Sequence, residues 1–203
     1  AKVGIYVFGI DLLADTPARD FVLFMACFTI VVASLIALTK DDLKARLAYS
    51  TVGQLAYVTA GVMLANEAGM MGGALQIPAH AFGKMTLFMC AGAIYVATGK
   101  KAISEMRGLG RRMPLVFTAF LIGSLSIIGL PPLAGGWPKV LLMLGASESG
   151  DAYVAWVLII SSLLNIAYLL PIAFLGLMPP RGTPEPAPYK RPEGAPALAV
   201  AAP

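Results

Sequence analysis

Long apolar runs without a single charge are the feature that most constrains the fold of this chain. Residues 22–38 carry no charged side chain, and short loops crowded with charges separate this run from similar ones. Only α-helices and closed β-barrels satisfy every backbone polar group in lipid. A barrel strand alternates apolar and polar residues, and the 22–38 run does not. The chain is therefore predicted to be an all-α polytopic membrane protein.

The composition supports this fold class and narrows the function. Of 203 residues, 58% are hydrophobic and 13% are charged, whereas soluble domains carry roughly 25% charged residues. Cys27 and Cys90 both fall within apolar runs, which favours two reduced, buried thiols over a disulfide. The net charge of +4 comes from loops, where it orients a membrane protein and does not indicate a nucleic-acid partner. The sequence has no metal-ligand spacing, phosphate-binding loop or nucleophile triad, so we expect neither a cofactor nor a bound metal.

Five membrane spans and a partial first one are predicted within a transporter domain at residues 1–178. The full-length spans are 21–39, 47–64, 69–98, 114–146 and 152–178. A kink is expected at Pro78, because a proline removes one backbone hydrogen bond. Residues 1–13 are apolar but shorter than the roughly 20 residues that a spanning helix needs, so we expect the second part of a helix there. Residues 179–203 form a Pro- and Ala-rich tail or loop.

The loops alternate in charge along the chain. Loops 40–46 and 99–113 are basic, as is the tail, whereas loops 11–20, 65–68 and 147–151 are acidic. The positive-inside rule places the basic set in the cytoplasm. We therefore expect an integral protein of a bacterial inner membrane, or of an organelle inner membrane, with both basic loops on the cytoplasmic side.

The span 114–146 is interrupted near its centre. Residues 128–139 read IGLPPLAGGWPK, with three prolines and three glycines. Each interior proline costs a helix about 3 kcal/mol and each glycine about 1 kcal/mol, and such breaks form ion sites in transporters. We predict that residues 130–138 are non-helical and that Lys139 starts or borders the following half-helix. The alternative is a surface loop that joins a helix at 114–130 to an interfacial segment at 140–146.

Lysines inside these spans are the candidate functional residues. Lys84 lies deep within span 69–98, and Lys139 follows the break. A cation near the bilayer centre costs roughly 2.5–3.5 kcal/mol, so it is rare unless it pairs, lines water or carries protons. Burial disfavours the ammonium form, which lets such a lysine accept and release protons. The alternatives are a snorkelling lysine for Lys84 and a loop-edge lysine for Lys139.

Further polar residues are candidates for the proton route. His80 lies one turn before Lys84 on the same helix face and is predicted to pass it a proton; the alternative is a packing histidine bonded to a carbonyl. The possible channel-lining residues are Lys44, Ser50, Thr51 and Gln54. Lys44 is equally an ordinary interface lysine, and hydroxyls and amides also bond neighbouring helices. Asn165 and Tyr168 are expected to pack against or bond to the broken helix.

Four separated motifs resemble those of the proton-conducting antiporter family. They are KARLAYSTVGQ at 44–54, HAFGK at 80–84, GLGRRMP at 108–114 and GLPPLAG at 129–135. Its members are the large subunits of Mrp-type sodium/proton antiporters, the antiporter-like subunits of respiratory complex I and their relatives in membrane-bound hydrogenases. The similarity covers about residues 1–178 and only the second half of a member. It implies the second repeat of an inverted-repeat transporter with a discontinuous helix.

The resemblance also implies a proton pathway of lysines and a histidine along the membrane midplane. Lys2 matches the family lysine between the two half-channels, in a stretch most like the Mrp branch. His80 and Lys84 match the histidine and the lysine of the His-Ala-Phe motif. Lys139 matches the broken-helix lysine, where M-type subunits of complex I carry a glutamate. Residues 136–138 depart from the family's usual Gly-Phe before this lysine.

The expected function is proton translocation as a subunit of an Mrp-type cation/proton antiporter, with sodium as the candidate cation. We expect the chain to work in the lipid bilayer with other membrane subunits. The first alternative is a proton-pumping subunit of complex I or of a membrane-bound hydrogenase, which would make it part of a redox-driven enzyme. The second is a non-conducting scaffold. We also expect a first-repeat partner to cover Lys2 and Lys84, which a lone second repeat would expose to lipid.

Overall fold

The computed structural model describes residues 16–178, and this part of the chain is helical. The α-helices are α1 (Ala18–Thr39), α2 (Leu43–Met63), α3 (Glu67–Thr98), α4 (Pro114–Ile128), α5 (Gly136–Glu148) and α6 (Ala152–Leu177). Two 3-10 turns join α3 to α4, and within residues 16–178 there is no β-strand. The predicted all-α fold class is confirmed. Lys2, the partial helix at 1–13 and the tail at 179–203 lie outside the described residues.

Three of the helices are long and apolar enough to cross a membrane: Ala18–Thr39, Glu67–Thr98 and the stretch Ala152–Gly176 of α6. Their outward faces carry large apolar side chains, such as Phe82 at 72% exposure and Trp156 at 67% exposure. Such surfaces suit lipid and would be a liability in water. The chain is an integral membrane protein. Helix α2 has 21 residues, and α4 and α5 are the two halves of the interrupted span, with 15 and 13 residues.

The loop charges are sorted to opposite ends of the helix bundle. At one end the backbone N–H of Leu43 donates to the carbonyl oxygen of Lys101 at 3.1 Å, which joins the two basic loops. At the other end Arg19 forms an ion pair with Asp151 in the turn between α5 and α6. Arg19 is the second residue of α1. The alternation seen in the sequence thus becomes a basic end and an acidic end.

Local side chains fix where α2 and α3 begin and end. The carboxylate of Asp42 accepts a hydrogen bond from the Ala45 N–H at 2.8 Å, and the Asn66 amide oxygen accepts one from the Gly69 N–H at 2.7 Å. Both are N-caps of the kind that helix starts prefer. Gly99 ends α3 with a left-handed φ of 71°. Helix α3 runs without interruption through Pro78, so its buried residues continue on both sides of the proline.

The predicted break between α4 and α5 is confirmed, with shifted bounds. Residues 129–135 are non-helical, and the helix resumes at Gly136. The prediction that non-helical backbone extends to residue 138 is therefore wrong. Pro138 fits inside the first turn of α5 because the first four N–H groups of a helix have no partner within it. Helix α5 also packs closely on α3, since a Cβ added at Gly72 would lie 2.9 Å from the backbone nitrogen of Leu142.

Candidate functional site

Polar side chains are buried inside a core that is otherwise apolar. Within residues 16–178 the buried polar or charged residues are Ser34, Ser50, Gln54, Gln76, His80, Lys84, Ser124, Lys139, Ser161 and Asn165. Five of the predicted site residues are in this set, on α2, α3 and α5. Thr51 is half-buried and Lys44 is exposed.

Lys139 completes the C-terminal cap of α4. Gly129 takes a left-handed φ of 93°, and its N–H donates to the carbonyl oxygens of Leu125 and Ser126, both at 3.1 Å. This Schellman-type turn satisfies two of the carbonyls left over at a helix end. The next two carbonyls, of Ile127 and Ile128, accept hydrogen bonds from Lys139 Nζ at 3.0 and 2.7 Å. The side chain of α5 thus reaches across the break to the end of α4.

The rest of the Lys139 environment comes from two other helices. Nζ also donates to Ser162 Oγ on α6 at 3.0 Å, and it lies 5.5 Å from the centroid of the Tyr57 ring on α2. Lys139 is only 4% exposed, and no carboxylate in residues 16–178 lies within 4.0 Å of its nitrogen. Helix carbonyls, a hydroxyl and an aromatic face therefore stabilise this side chain in place of an ion pair.

Lys84 lies in an unbroken helix and takes its acceptor from a neighbour. Its Nζ donates to the carbonyl oxygen of Leu47 on α2 at 2.8 Å, and this carbonyl also accepts from Thr51 Oγ1 at 2.9 Å. Lys84 is 6% exposed within this chain alone. The expectation that Lys84 would face lipid without a first-repeat partner is therefore wrong, because α2 packs over it. The snorkelling alternative fails for the same reason.

His80 is buried without a hydrogen-bond partner in the described part of the chain. Both ring nitrogens are inaccessible to solvent, and neither is bonded. The alternative of a packing histidine bonded to a carbonyl is wrong for this structure. No direct hydrogen bond joins His80 to Lys84 within residues 16–178, so a proton transfer between them needs a bridging group.

One face of α2 connects the surroundings of the two lysines. Its buried residues at i, i+3, i+7 and i+10 are Leu47, Ser50, Gln54 and Tyr57, a spacing that places them along one stripe. The Leu47 end contacts Lys84 and the Tyr57 end contacts Lys139. At 1.5 Å of rise per residue, the two contacts are about 15 Å apart along the helix. Ser50 and Gln54, both predicted as channel-lining, lie between them.

Neighbouring helices supply partners to this polar stripe. Gln76 on α3 donates its Nε2–H to Gln54 Oε1 at 2.7 Å. The Tyr168 hydroxyl on α6 donates to Ser50 Oγ at 2.8 Å or to Asn165 Oδ1 one turn away. Tyr168 thus bonds to α2, and Asn165 bonds to Tyr168. Tyr168 also packs in one buried cluster with Ile127 and Ile128 of α4, as expected. Neither residue forms a hydrogen bond with the broken helix within residues 16–178. The α6 residue that does so is Ser162, for which the sequence offered only a hydroxyl on the last helix.

Several polar atoms along this region have no partner among the described residues. They include Tyr57 Oη, His80 Nδ1 and Nε2, Gln76 Oε1, Asn165 Nδ2 and Ser124 Oγ. A buried polar group without a hydrogen bond costs about 1–3 kcal/mol, and in proteins such groups are usually satisfied by internal water. His80 lies one turn before Lys84, Gln76 bonds to Gln54, and Asn165 bonds to Tyr168. Most of these atoms therefore lie close to the polar face of α2.

The chain is similar in sequence to subunits of NADH-quinone oxidoreductases. The chain is 34% identical over 171 residues to NADH-quinone oxidoreductase subunit N of Desulforudis audaxviator, covering 84% of this chain and 34% of that protein. It is 31% identical over 150 residues to NADH-quinone oxidoreductase subunit M of Rickettsia prowazekii, covering 74% of this chain and 30% of that protein. The chain thus spans about a third of the length of these relatives.

Solved structures show the same fold. A chain of the Mrp complex from Dietzia sp. DQ12-45-1b matches with a TM-score of 0.80 and 27% identity, over 88% of this chain and 33% of that one. A chain of the membrane-bound sulfane sulfur reductase, an archaeal respiratory membrane complex, matches with a TM-score of 0.78 and 27% identity, over 90% and 36%. The family described as "NADH:quinone oxidoreductase/Mrp antiporter, TM" matches residues 1–165. This chain belongs to that family of membrane subunits.

Proposed function

We propose that this chain conducts protons across the membrane through Lys84 and Lys139, along the buried stripe of α2. The observation that carries the proposal is that two lysines, each nearly inaccessible to solvent, are bonded to neutral groups and lie at the two ends of one polar helix face. Lysines inside membrane segments pair with other charged residues or with backbone carbonyls, and they commonly mark proton or ion pathways. A lysine held by neutral oxygens can lose its proton without leaving a buried anion unpaired.

The path between the lysines requires water. Ser50, Gln54 and their partners Gln76 and Tyr168 are all side chains that donate and accept hydrogen bonds. We propose that water occupies the positions beside their unpartnered atoms and beside His80, and that it links His80 to Lys84. His80 then exchanges protons with Lys84 through one water, in keeping with the role that the family resemblance implies. The proposed role of Lys2 is to extend this axis from outside the described residues.

For the coupling, we propose antiport of a cation for protons within a multisubunit membrane complex, with sodium as the cation. The resemblance to a subunit of the Mrp complex supports it. Redox-driven pumping is the second candidate, favoured by the relatives named NADH-quinone oxidoreductase subunits. Proton uptake driven by a sodium gradient, with no electron donor present, separates the two. We further propose that the domain comprises residues 1–178 and that the basic loops face the cytoplasm of a bacterial or organelle inner membrane.

The test is proton transport by the complex reconstituted into vesicles, followed with a pH-sensitive dye. We expect Lys84→Ala and Lys139→Ala each to reduce transport to the background of empty vesicles while the complex remains assembled. The control is Lys40→Gln, which removes a lysine from the basic loop 40–46 and should leave transport unchanged. Normal transport in the assembled Lys84→Ala complex would contradict the proposed pathway and would favour the scaffold alternative.

A further inference from the structure

Two lysines stack on one tyrosine ring at the basic end of the bundle, and a third lysine lines the same cleft. The Nζ atoms of Lys44 and Lys101 lie 4.9 and 5.1 Å from the centroid of the Tyr95 ring. Both distances are within the roughly 6 Å range of a cation–π contact. Lys100 lines the same small cleft. Lys44 and Lys101 come from different basic loops, which the fold brings together through the hydrogen bond between Leu43 and Lys101.

These lysines form no ion pair with a carboxylate in the described part of the chain. No Asp or Glu oxygen there lies within 4.0 Å of their nitrogens. The two acids of loop 40–46 are occupied elsewhere: Asp41 accepts hydrogen bonds from Ser104, and Asp42 caps α2. Lys100 Nζ donates to a neutral acceptor, the backbone carbonyl of Glu105, at 3.0 Å. Three like charges held close together repel one another, and an anion beside them would relieve this repulsion.

We propose that Lys44, Lys100 and Lys101, arranged around Tyr95, bind the phosphate of an anionic phospholipid at the basic end of the protein. Lysine ammonium groups bind phosphate as point charges, so a cluster of three suits a phosphate group. Basic pockets between membrane helices on the cytoplasmic side are suited to acidic lipid headgroups. Lys44, which the sequence left open between a channel entrance and an interface lysine, then has a role that is independent of proton conduction.

The surroundings of the cleft favour a lipid over a soluble anion. Its remaining lining is largely apolar, from Leu43, Ala91 and Met106. Seven residues before Tyr95, on the same face of α3, Phe88 is exposed at the lipid-facing surface. A basic mouth at a helix end, continuous with an apolar helix surface, matches a headgroup and its acyl chains. A soluble phosphate would use the lysines alone.

The experiment measures retained lipid on the intact complex in nanodiscs that contain phosphatidylglycerol in phosphatidylcholine. Native mass spectrometry across a series of phosphatidylglycerol fractions gives an apparent affinity. Each lysine that contacts the headgroup is expected to contribute about fivefold to the binding of an acidic lipid, so we expect Lys44→Gln/Lys101→Gln to weaken retention by about 25-fold. The matched control is Lys40→Gln, because Lys40 also stacks on a tyrosine, Tyr49, at 5.5 Å. It should change retention less than twofold.

Further arms test the identity of the ligand. Lys44→Arg/Lys101→Arg keeps both charges and should retain the lipid, which also shows that changes at these two positions are tolerated. A loss of about fivefold in Lys40→Gln, equal per charge removed to the loss in the double glutamine variant, would overturn the site, because attraction by overall charge would then suffice. Displacement of the lipid by millimolar inorganic phosphate would overturn the lipid assignment in favour of a soluble anion. Proton transport is not a readout here, so failure of this proposal leaves the conduction proposal standing.

Discussion

The two buried lysines obtain their hydrogen-bond acceptors in different ways. Lys139 sits beside a helix break, where the end of α4 offers unpaired carbonyls, and its ammonium group has three oxygen acceptors. Lys84 sits in the middle of a continuous helix, whose own carbonyls are already bonded within it. Its one acceptor in the described part of the chain is a carbonyl of α2. At the break, two of the three acceptors are backbone carbonyls at the end of α4, whereas the unbroken helix α3 relies on a carbonyl of a neighbouring helix.

This difference predicts different mobility of the two protons. A lysine with three acceptors is held in one geometry, while a lysine with one acceptor keeps two N–H bonds available for water. His80, unbonded and one turn away, lies on the side of the less restrained lysine. Under the proposed function, we therefore expect Lys84 to exchange protons with water and Lys139 to act as a firmly positioned relay.

The largest effect on stability should come from a change in the break between α4 and α5. A Cβ added at Gly135 would overlap the carbonyl oxygen of Ser126, so Gly135→Ala has to displace the segment that brings α5 against α4. Overpacking of this kind typically costs about 1–3 kcal/mol and occasionally more. We expect a loss of thermal stability of about 3–10 °C together with loss of transport. A thermal melt of the purified complex and the vesicle assay measure both.

The matched control for that variant is Gly92→Ala. A Cβ at Gly92 meets no atom within 4 Å, and alanine is favoured over glycine in a helix by about 1 kcal/mol. Its melting temperature should be unchanged or slightly raised, with normal transport. A Gly135→Ala protein that matched Gly92→Ala in both assays would show that the break does not depend on this close approach.

The next effect compares the lysines directly. Lys139→Met and Lys84→Met both remove a buried amine, so the benefit of losing a buried charge is shared and cancels in the difference. Lys139→Met removes three hydrogen bonds, whereas Lys84→Met removes one, to a carbonyl that keeps Thr51 as a donor. Each bond is worth about 0.6 kcal/mol in a membrane protein. We expect Lys139→Met to melt about 2–5 °C below Lys84→Met. Equal melting temperatures would contradict the expected difference between the three-acceptor site of Lys139 and the one-acceptor site of Lys84.

The smallest stability effect should come from the stripe that links the two sites. Gln54→Leu removes the acceptor of Gln76 while keeping a similar volume, at a cost of about 0.6 kcal/mol. We expect a shift of only about 1–2 °C but a severalfold lower transport rate, because the polar path is interrupted. Thr59→Val, an exposed polar-to-apolar change on another face of α2, is the control. An unchanged rate in Gln54→Leu would place the proton route elsewhere.

Much of the site could be predicted because charge and proline are costly in a membrane helix. The depth of Lys84 and Lys139 and the cluster of Pro and Gly residues identified both lysines and the break. The bounds of the break were missed at residues 136–138, because a proline in a first helical turn breaks nothing. The roles of Ser162 and Tyr57 were missed because serine and tyrosine are common in membrane helices and carry no signal on their own.

By itself the sequence determined that this chain is helical and lies in the membrane. It also determined that basic and acidic loops alternate along the chain and that two lysines are buried. These properties follow from composition and spacing, because lipid satisfies no backbone group and tolerates few charges. Only the tertiary structure decided which oxygens accept hydrogen bonds from the two lysines. It also decided that one face of α2 contacts both of them. The rotation of each helix about its axis sets these contacts, and that rotation depends on packing between helices distant in sequence. The covering of Lys84 by α2 and the bonding of Tyr168 toward Ser50 are results of that packing.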